Sequence, residues 1–339
     1  MKKLIYIPMV IAICIACENQ EFDYPDYDYT AVYFPMQYPV RTLVLGEDRV
    51  DNSMDQELKF QIGVTIGGLF ENRKDWNVEV VLDESLAQGL VNQNGDTLRI
   101  LPSEYYTLGS NQLVIPSGDF SGFVDVQLNE IFLSDSLATF SNYVIPLRIT
   151  DTDADSILSG LPVVEAPNKH LSADWDPSAL PKDFVLFGIK YINLYHGYYL
   201  HRGSDVTFDP DNNQIDEKIY HEKYVERDQV VRLITTGKQG NVTDFVGVNV
   251  AGNGKYSMIL NFNDNGGIVI DSTKNSDFKV SGTGRFVEDG DEWGGIKQNV
   301  IYLNYTYMDG VNRHEVYDTL VYRNNGVSLE ENVVTPAGL

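Results

Sequence analysis

Residues 300–322 read VIYLNYTYMDGVNRHEVYDTLVY. Two aromatic, β-branched runs, 300–307 and 315–322, flank Asp309-Gly310, the kind of pair that supplies the positive φ a hairpin requires. Working back along the chain, the same long strands recur at 184–194, 217–224, 230–235, 242–250, 256–262, 268–271 and 278–287. Short turns join them, among them Asn263-Asp264-Asn265-Gly266-Gly267. A meander of about eight or nine long strands hides its edges best by closing on itself. An up-and-down antiparallel barrel is therefore expected, with a two-sheet sandwich as the alternative.

Strand writing also fills the first half. Leu58, Phe60, Ile62, Val64 and Ile66 alternate with polar or small residues, as do Trp76, Val78, Val80 and Leu82, the period of two that a half-buried strand needs. With further candidates at 31–34, 112–115, 122–128 and 143–149, about seven strands precede residue 150, which suits an immunoglobulin-like sandwich. Helical periodicity is nearly absent, so the fold class is all-β. Four prolines, Pro162, Pro167, Pro177 and Pro181, interrupt the pattern, and proline cannot donate to a ladder. The expected organisation is thus 31–160 sandwich, 161–181 linker or a loop lying across the surface, and 182–339 barrel, the last resembling the lipocalin or calycin group.

The first seventeen residues have a different character. Lys2 and Lys3 precede an apolar run ending at Ala16-Cys17, too short for the roughly 20 residues that span a bilayer. The run reads as a signal peptide, 1–17, whose Cys17 is lipidated; Cys14 departs from the pattern by standing where a larger aliphatic is usual. Residues 18–30, ENQEFDYPDYDYT, hold five acids, three tyrosines and Pro25, and read as an extended acidic tether. Losing Lys2 and Lys3 changes the net charge from −24 to −26, with 23 basic residues against 49 acidic. Such a field repels phosphate backbones and anionic headgroups, which excludes nucleic acid and leaves the lipid as the membrane attachment. No cysteine pair remains for a disulfide, so burial alone must hold the fold.

The segments LPSEYYTLGSNQLVIPSGDFSGFVDVQLN (101–129) and YVIPLRITDTDADSILSG (143–160) resemble the N-terminal domain of unknown function that heads many Bacteroidetes surface lipoproteins, in some relatives ahead of a glycosidase. DWDPSALPKDFVLFGIKYINLYHGYYLHRG (174–203) and VSGTGRFVEDGDEWGGIKQNVIYLNY (280–305) are similar to its C-terminal partner domain, found in lipoproteins of polysaccharide-utilisation loci. The resemblance implies an outer-membrane, surface-exposed accessory lipoprotein that binds glycan near a SusC/SusD-type transporter. It transfers no binding residues.

Catalytic motifs are missing from the sequence: there is no GxSxG, HExxH, P-loop or strand-linked GxGxxG, and His221-Glu222 and His314-Glu315 lack a second histidine. The expectation is a protein that is not an enzyme, although paired carboxylates of a glycoside hydrolase could hide among the acids. Glu288, Asp289, Asp291 and Glu292 around Gly290 read as a charged turn. Asp151, Asp153 and Asp155 have the alternate spacing of a calcium loop, but Ser156 replaces the glycine and Pro162 the bidentate glutamate; Asp209, Asp211 and Asn213 repeat that spacing. Otherwise no cofactor is expected.

Sugar binding favours flat aromatic faces beside amides and carboxylates. Trp293, next to Gly294 and Gly295, is the best single candidate because a loop indole has little packing to do. Tyr198, Tyr199 and His196 belong to the densest aromatic group, with Tyr191, Tyr195, His201 and Arg202; alternating tyrosines can equally be core or cross-strand pairs. Trp175 is either part of a site or a plug at the domain interface, and Trp76 reads as core. The rival from another class is a structural, adhesive or assembly subunit that binds a partner protein.

Overall fold

The computed structural model describes residues 26–48, 50–250 and 255–338. The leader with Cys17 and the first part of the acidic segment, 18–25, lie outside the described residues.

The first domain is an immunoglobulin-like sandwich. In the strand Lys59–Gly67, Phe60, Ile62, Val64 and Ile66 are buried while Lys59 and Gln61 face solvent, so the period of two is realised as written. That strand pairs antiparallel with Ala31–Tyr33 and Ser121–Leu128, and Tyr106–Leu108 continues the sheet. The facing sheet runs Pro39–Val44, Phe184–Ile192, Tyr143–Thr152, Trp76–Leu82, Gln112–Ile115. Pro39–Val44 lies parallel to Phe184–Ile192, and the other neighbours along this order are antiparallel. Val32, Ile62, Val80, Val124, Ile145 and Ile189 meet in the core between the two sheets. Trp76 is part of it, as expected, with its Nε1 donating to Asn72 Oδ1 at 2.8 Å.

One boundary differs from the sequence expectation. Phe184–Ile192 was to open the barrel domain; instead it is an inner strand of the sandwich, between Pro39–Val44 and Tyr143–Thr152. The reason is burial on both faces. Val185, Ile189 and Tyr191 point into the sandwich core, whereas Phe184 and Leu186 join a second cluster with Leu86, Leu90, Leu98, Val144 and Val334. A strand covered on both sides is a continuous apolar run with no alternation to mark its allegiance. The proline-rich stretch is therefore an excursion between two adjacent sandwich strands rather than a linker between domains. The C-terminal tail also returns: Glu330–Glu331 pairs with Pro39–Val44, and Val334–Pro336 with Leu90–Asn92.

The acidic segment needs a similar correction at its end. Residues 26–30 are not a free tether. Tyr27 N donates to Gly68 O at 3.0 Å, and Thr30 donates through N and Oγ1 to Asp155 Oδ2 at 2.8 Å each.

The second domain is the expected barrel. Its eight antiparallel strands are Gly197–Phe208, Gln229–Gly237, Gly240–Thr243, Met258–Phe262, Gly267–Ser272, Val280–Trp293, Ile296–Met308 and Arg313–Asn324. The last pairs with the first from Tyr198↔Asn324 to Phe208↔Arg313, which closes the sheet. Two strands of the sequence reading take other roles. The expected 217–224 is Gln214–Tyr220, a hairpin arm that pairs with the far half of Gly197–Phe208 outside the barrel circuit. The expected 242–250 breaks after Thr243 into a short inner hairpin, Phe245–Val246 with Asn249–Val250.

Asn193 joins the domains. It is buried, and its Nδ2 donates to Gly237 O at 2.9 Å, Gly240 O at 3.1 Å and Asn241 Oδ1 at 2.8 Å. The strand Phe184–Ile192 is thus latched to a barrel turn within one residue of its end, a contact that favours a fixed domain orientation.

Candidate functional site

Trp293 ends the strand Val280–Trp293, and Ile296 begins the next, with register Trp293↔Ile296. The two linking residues, Gly294 (φ 63°) and Gly295 (φ 76°), both have the positive φ of the tight hairpin turn that suits strand twist. The acids before the tryptophan are not a turn as expected. They lie along the strand itself, across an irregularity in pairing between Val287 and Asp291 that includes Asp289 at φ 52°.

The indole is held rather than loose. Nε1 donates to Tyr322 O at 3.0 Å, and the ring packs on the outer-face patch of Leu200, Val300 and Val321. Beyond it opens a cleft of about 230 Å³, lined by Trp293, Ile296, Gln298, Tyr322, Arg323, Asn324 and Asn325 from the barrel and by Glu47 and Asp48 from the sandwich. Tyr322 stands edge-on to Tyr199, with centroids 5.6 Å apart at 74°. Opposite Asn324, a Cβ at Gly197 (φ 145°) would come 2.5 Å from the Asn324 carbonyl oxygen, so glycine lets the chain start the barrel there. The cleft therefore combines an indole, an aliphatic side chain, three amides and charged groups of both signs. Such a wall can cover the apolar side of a ring while accepting and donating to hydroxyls.

The other candidates do not converge on it. Tyr199 is in the barrel core, its hydroxyl donating to Tyr195 O at 2.9 Å, and burial holds its phenol protonated far above the ordinary range. Tyr198 is half-buried on the outer face, with the Arg232 guanidinium 5.4 Å from its ring centroid and Gly326 of the tail against its edge. His196 is buried beside the interdomain join, where Thr235 N donates to its Nδ1 at 3.1 Å; burial pushes its pKa down to about 4. Trp175 is buried, but within the proline-rich excursion: Nε1 donates to Asn168 O at 2.8 Å, and a Cβ at Gly160 (φ 86°) would meet the ring at 2.7 Å. It plugs that excursion, not the domain interface.

The three candidate calcium ligands also diverge. Asp153 accepts from Asn77 N and Nδ2 at 2.9 Å each, Asp155 accepts from Thr30, and Asp151 sits in the ladder opposite Glu79. Among the described residues no group of three His, Cys, Asp or Glu is placed to hold a metal. Asp209 accepts from Asn213 N at 2.8 Å and so closes a hairpin turn.

Sequence reasoning missed a polar network inside the barrel. Asp318 accepts from His201 Nε2 at 2.9 Å, from Tyr305 OH at 2.6 Å and from Tyr220 OH. Asp205 accepts from Tyr307 OH at 2.8 Å and His314 Nδ1 at 2.7 Å. Both carboxylates are almost fully buried, and burial together with those carboxylates raises the phenols of Tyr220 and Tyr307. Gly203 leaves room: a Cβ there would come 2.6 Å from Asp318 Oδ1. The available signal was polar residues at inward positions, His201 and Asp205 on one strand and His314 and Asp318 on its neighbour.

Two family models match the chain. An N-terminal-domain model covers residues 26–156, and a domain of unknown function (DUF5627) covers 194–326, beginning just after Asn193. A Bacteroides ovatus protein of unknown function is 37% identical over 91% of this chain and 100% of its own, with a TM-score of 0.82. A B. ovatus multidomain protein including DUF1735 is 13% identical over 88% of this chain and 97% of its own, TM-score 0.45. A third B. ovatus protein of unknown function is 13% identical over 90% of this chain and 99% of its own, TM-score 0.46. No curated protein matches the chain.

Proposed function

The chain belongs to the same family as the 37% identical B. ovatus protein of unknown function, and on that premise we propose that it is a lipid-anchored, surface-exposed glycan-binding protein. The glycan lies in the cleft between Glu47–Asp48 and the Trp293 hairpin and leaves uncleaved. The observation that carries this is the fixed indole: Trp293 is oriented by its hydrogen bond to Tyr322 O and backed by Leu200, Val300 and Val321, yet stands beside an open cleft with three amides. Preorganised aromatic faces lose little entropy on binding a sugar ring. Anchoring is through Cys17, at the outer membrane, and the partner is a SusC/SusD-type uptake complex. The bound glycan is supplied to that complex intact.

Calorimetry on the soluble mature chain tests the site. Against a glycan selected on an array, Trp293→Ala should weaken binding by about 1–3 kcal/mol, as for other stacking contacts, in a protein that still melts cooperatively although the lost packing on Leu200, Val300 and Val321 lowers its midpoint. Unchanged affinity rejects the cleft. Release of reducing ends from the selected glycan rejects the non-catalytic role.

A further inference from the structure

We infer that the sandwich carries a second carbohydrate site, a groove of about 220 Å³ formed by Tyr27, Tyr29 and Tyr33 over Gly67 and Gly68, and that it takes neutral sugar rings. The backbone beneath the first two rings is strapped down at both ends. Phe70 N donates to Asp26 Oδ1 at 2.6 Å and Tyr27 N to Gly68 O at 3.0 Å, while Thr30 is tied to Asp155. The tyrosines are therefore placed by the fold, although Tyr27 is 81% and Tyr29 58% exposed. A phenol ring gains its packing free energy only when covered, so these positions return nothing to stability while uncovered.

The floor fits a flat ligand. At Gly67 a Cβ would come 3.3 Å from the Tyr33 ring, and at Gly68 (φ 89°) one would come 2.2 Å from Tyr29 O. Larger residues would fill the groove or displace the strapped segment. The wall selects against charge in two ways. In a chain of net charge −24 every lining residue is uncharged, Ala31 and Leu158 completing the set. Asp26 and Asp28, which flank Tyr27, add an acidic rim that repels uronates and sulfated sugars. The nearest cation over the rings, Lys182, sits 5.5 Å from the Tyr33 centroid. Lys182 thus backs Tyr33, while the exposed phenol faces of Tyr27 and Tyr29 suit the apolar side of a neutral pyranose. This site shares no residue with the Trp293 cleft and lies wholly on the sandwich, so one polysaccharide chain reaching both would gain avidity.

The test uses the mature chain with Trp293→Ala, which removes the cleft's indole, titrated by calorimetry with cellohexaose, maltohexaose, mannohexaose and, as the acidic comparison, trigalacturonate. At least one neutral hexaose should still bind, trigalacturonate should not, and adding Tyr27→Ala with Tyr29→Ala should lower the retained affinity tenfold or more. Tyr27→Ala alone, the more exposed position, should lower it several-fold with an unchanged melting curve, which guards against a folding artefact in the double variant. Absence of neutral hexaose binding to the Trp293→Ala chain, or an affinity indifferent to both tyrosines, or equal binding of trigalacturonate, overturns the proposal. Wild-type affinity in Trp293→Ala combined with loss in the tyrosine variants rejects the cleft while leaving this site standing.

Discussion

Ending the chain after Gly160 should abolish folding of the sandwich, even though every strand that precedes the proline-rich stretch is kept. The truncation removes Phe184–Ile192, whose side chains Phe184, Val185, Leu186, Ile189, Tyr191 and Ile192 are each no more than 5% exposed. At about 1.5–3 kcal/mol for each buried large apolar side chain, the lost burial is about 9–18 kcal/mol. A whole domain is stable by only about 5–15 kcal/mol. Two ladders go with it, the pairs 143–148 with 184–189 and 40–44 with 188–192, which turns two paired strands into open edges. The assay is a urea titration of the fragment 26–160, followed by Trp76 emission and near-UV circular dichroism. No cooperative transition is expected, and supplying a 182–193 peptide in trans should restore part of one. A cooperative melt of 26–160 alone, with a stability of several kcal/mol, would refute the assignment of 184–192 to the sandwich.

Three further outcomes follow from the same structure. His196 is held near 4 against about 6.5 in the unfolded chain, so the unfolded state binds the proton more tightly; stability is full above about 6.5 and declines as pH falls toward 4. The wild-type minus His196→Asn stability difference should therefore shrink by on the order of 2–3 kcal/mol between pH 7 and pH 4.5 in urea titrations, and a flat difference would contradict the buried neutral imidazole. Asp318→Leu strands His201, Tyr220 and Tyr305 as donors in the barrel and should cost about 3–5 kcal/mol of stability; an unchanged urea midpoint would mean that the network is not a structural element. Cys17→Ala should move the protein from the membrane pellet to the soluble fraction and abolish palmitate labelling, and retention in the pellet with label would reject the lipid anchor.

The barrel was legible because its strands are amphipathic in the ordinary sense: one face meets the interior, as with Ile301, Leu303, Tyr305 and Tyr307, and turn residues such as Gly310 punctuate them. The sandwich strands of the Ala31–Tyr33 sheet were legible for the same reason. What failed were elements lacking alternation. Phe184–Ile192 is covered on both faces and carries no periodic mark of which domain it serves. Gly197–Phe208 looked like an aromatic site because Tyr198 and Tyr199 are adjacent, yet a strand sends adjacent residues to opposite faces, one to the tail and one to the core. The tight turn after Trp293 was legible from its glycines, whereas the packing that holds the indole was not. Its cleft partners were not, since Glu47, Asp48 and Asn324 are brought to it only by closing the barrel and latching Asn193.

Tryptophan emission tests the central claim most directly, because the three indoles report different places. Trp76 is 7% and Trp175 6% exposed inside the sandwich and its excursion, whereas Trp293 borders the cleft. Titrating the mature chain with an array-selected glycan should shift or quench its emission along the same curve that calorimetry gives, and Trp293→Phe should bind with the signal gone. An emission change that persists undiminished in Trp293→Phe, or calorimetric binding by the wild type with no emission change, would place the glycan away from Trp293 and contradict the account.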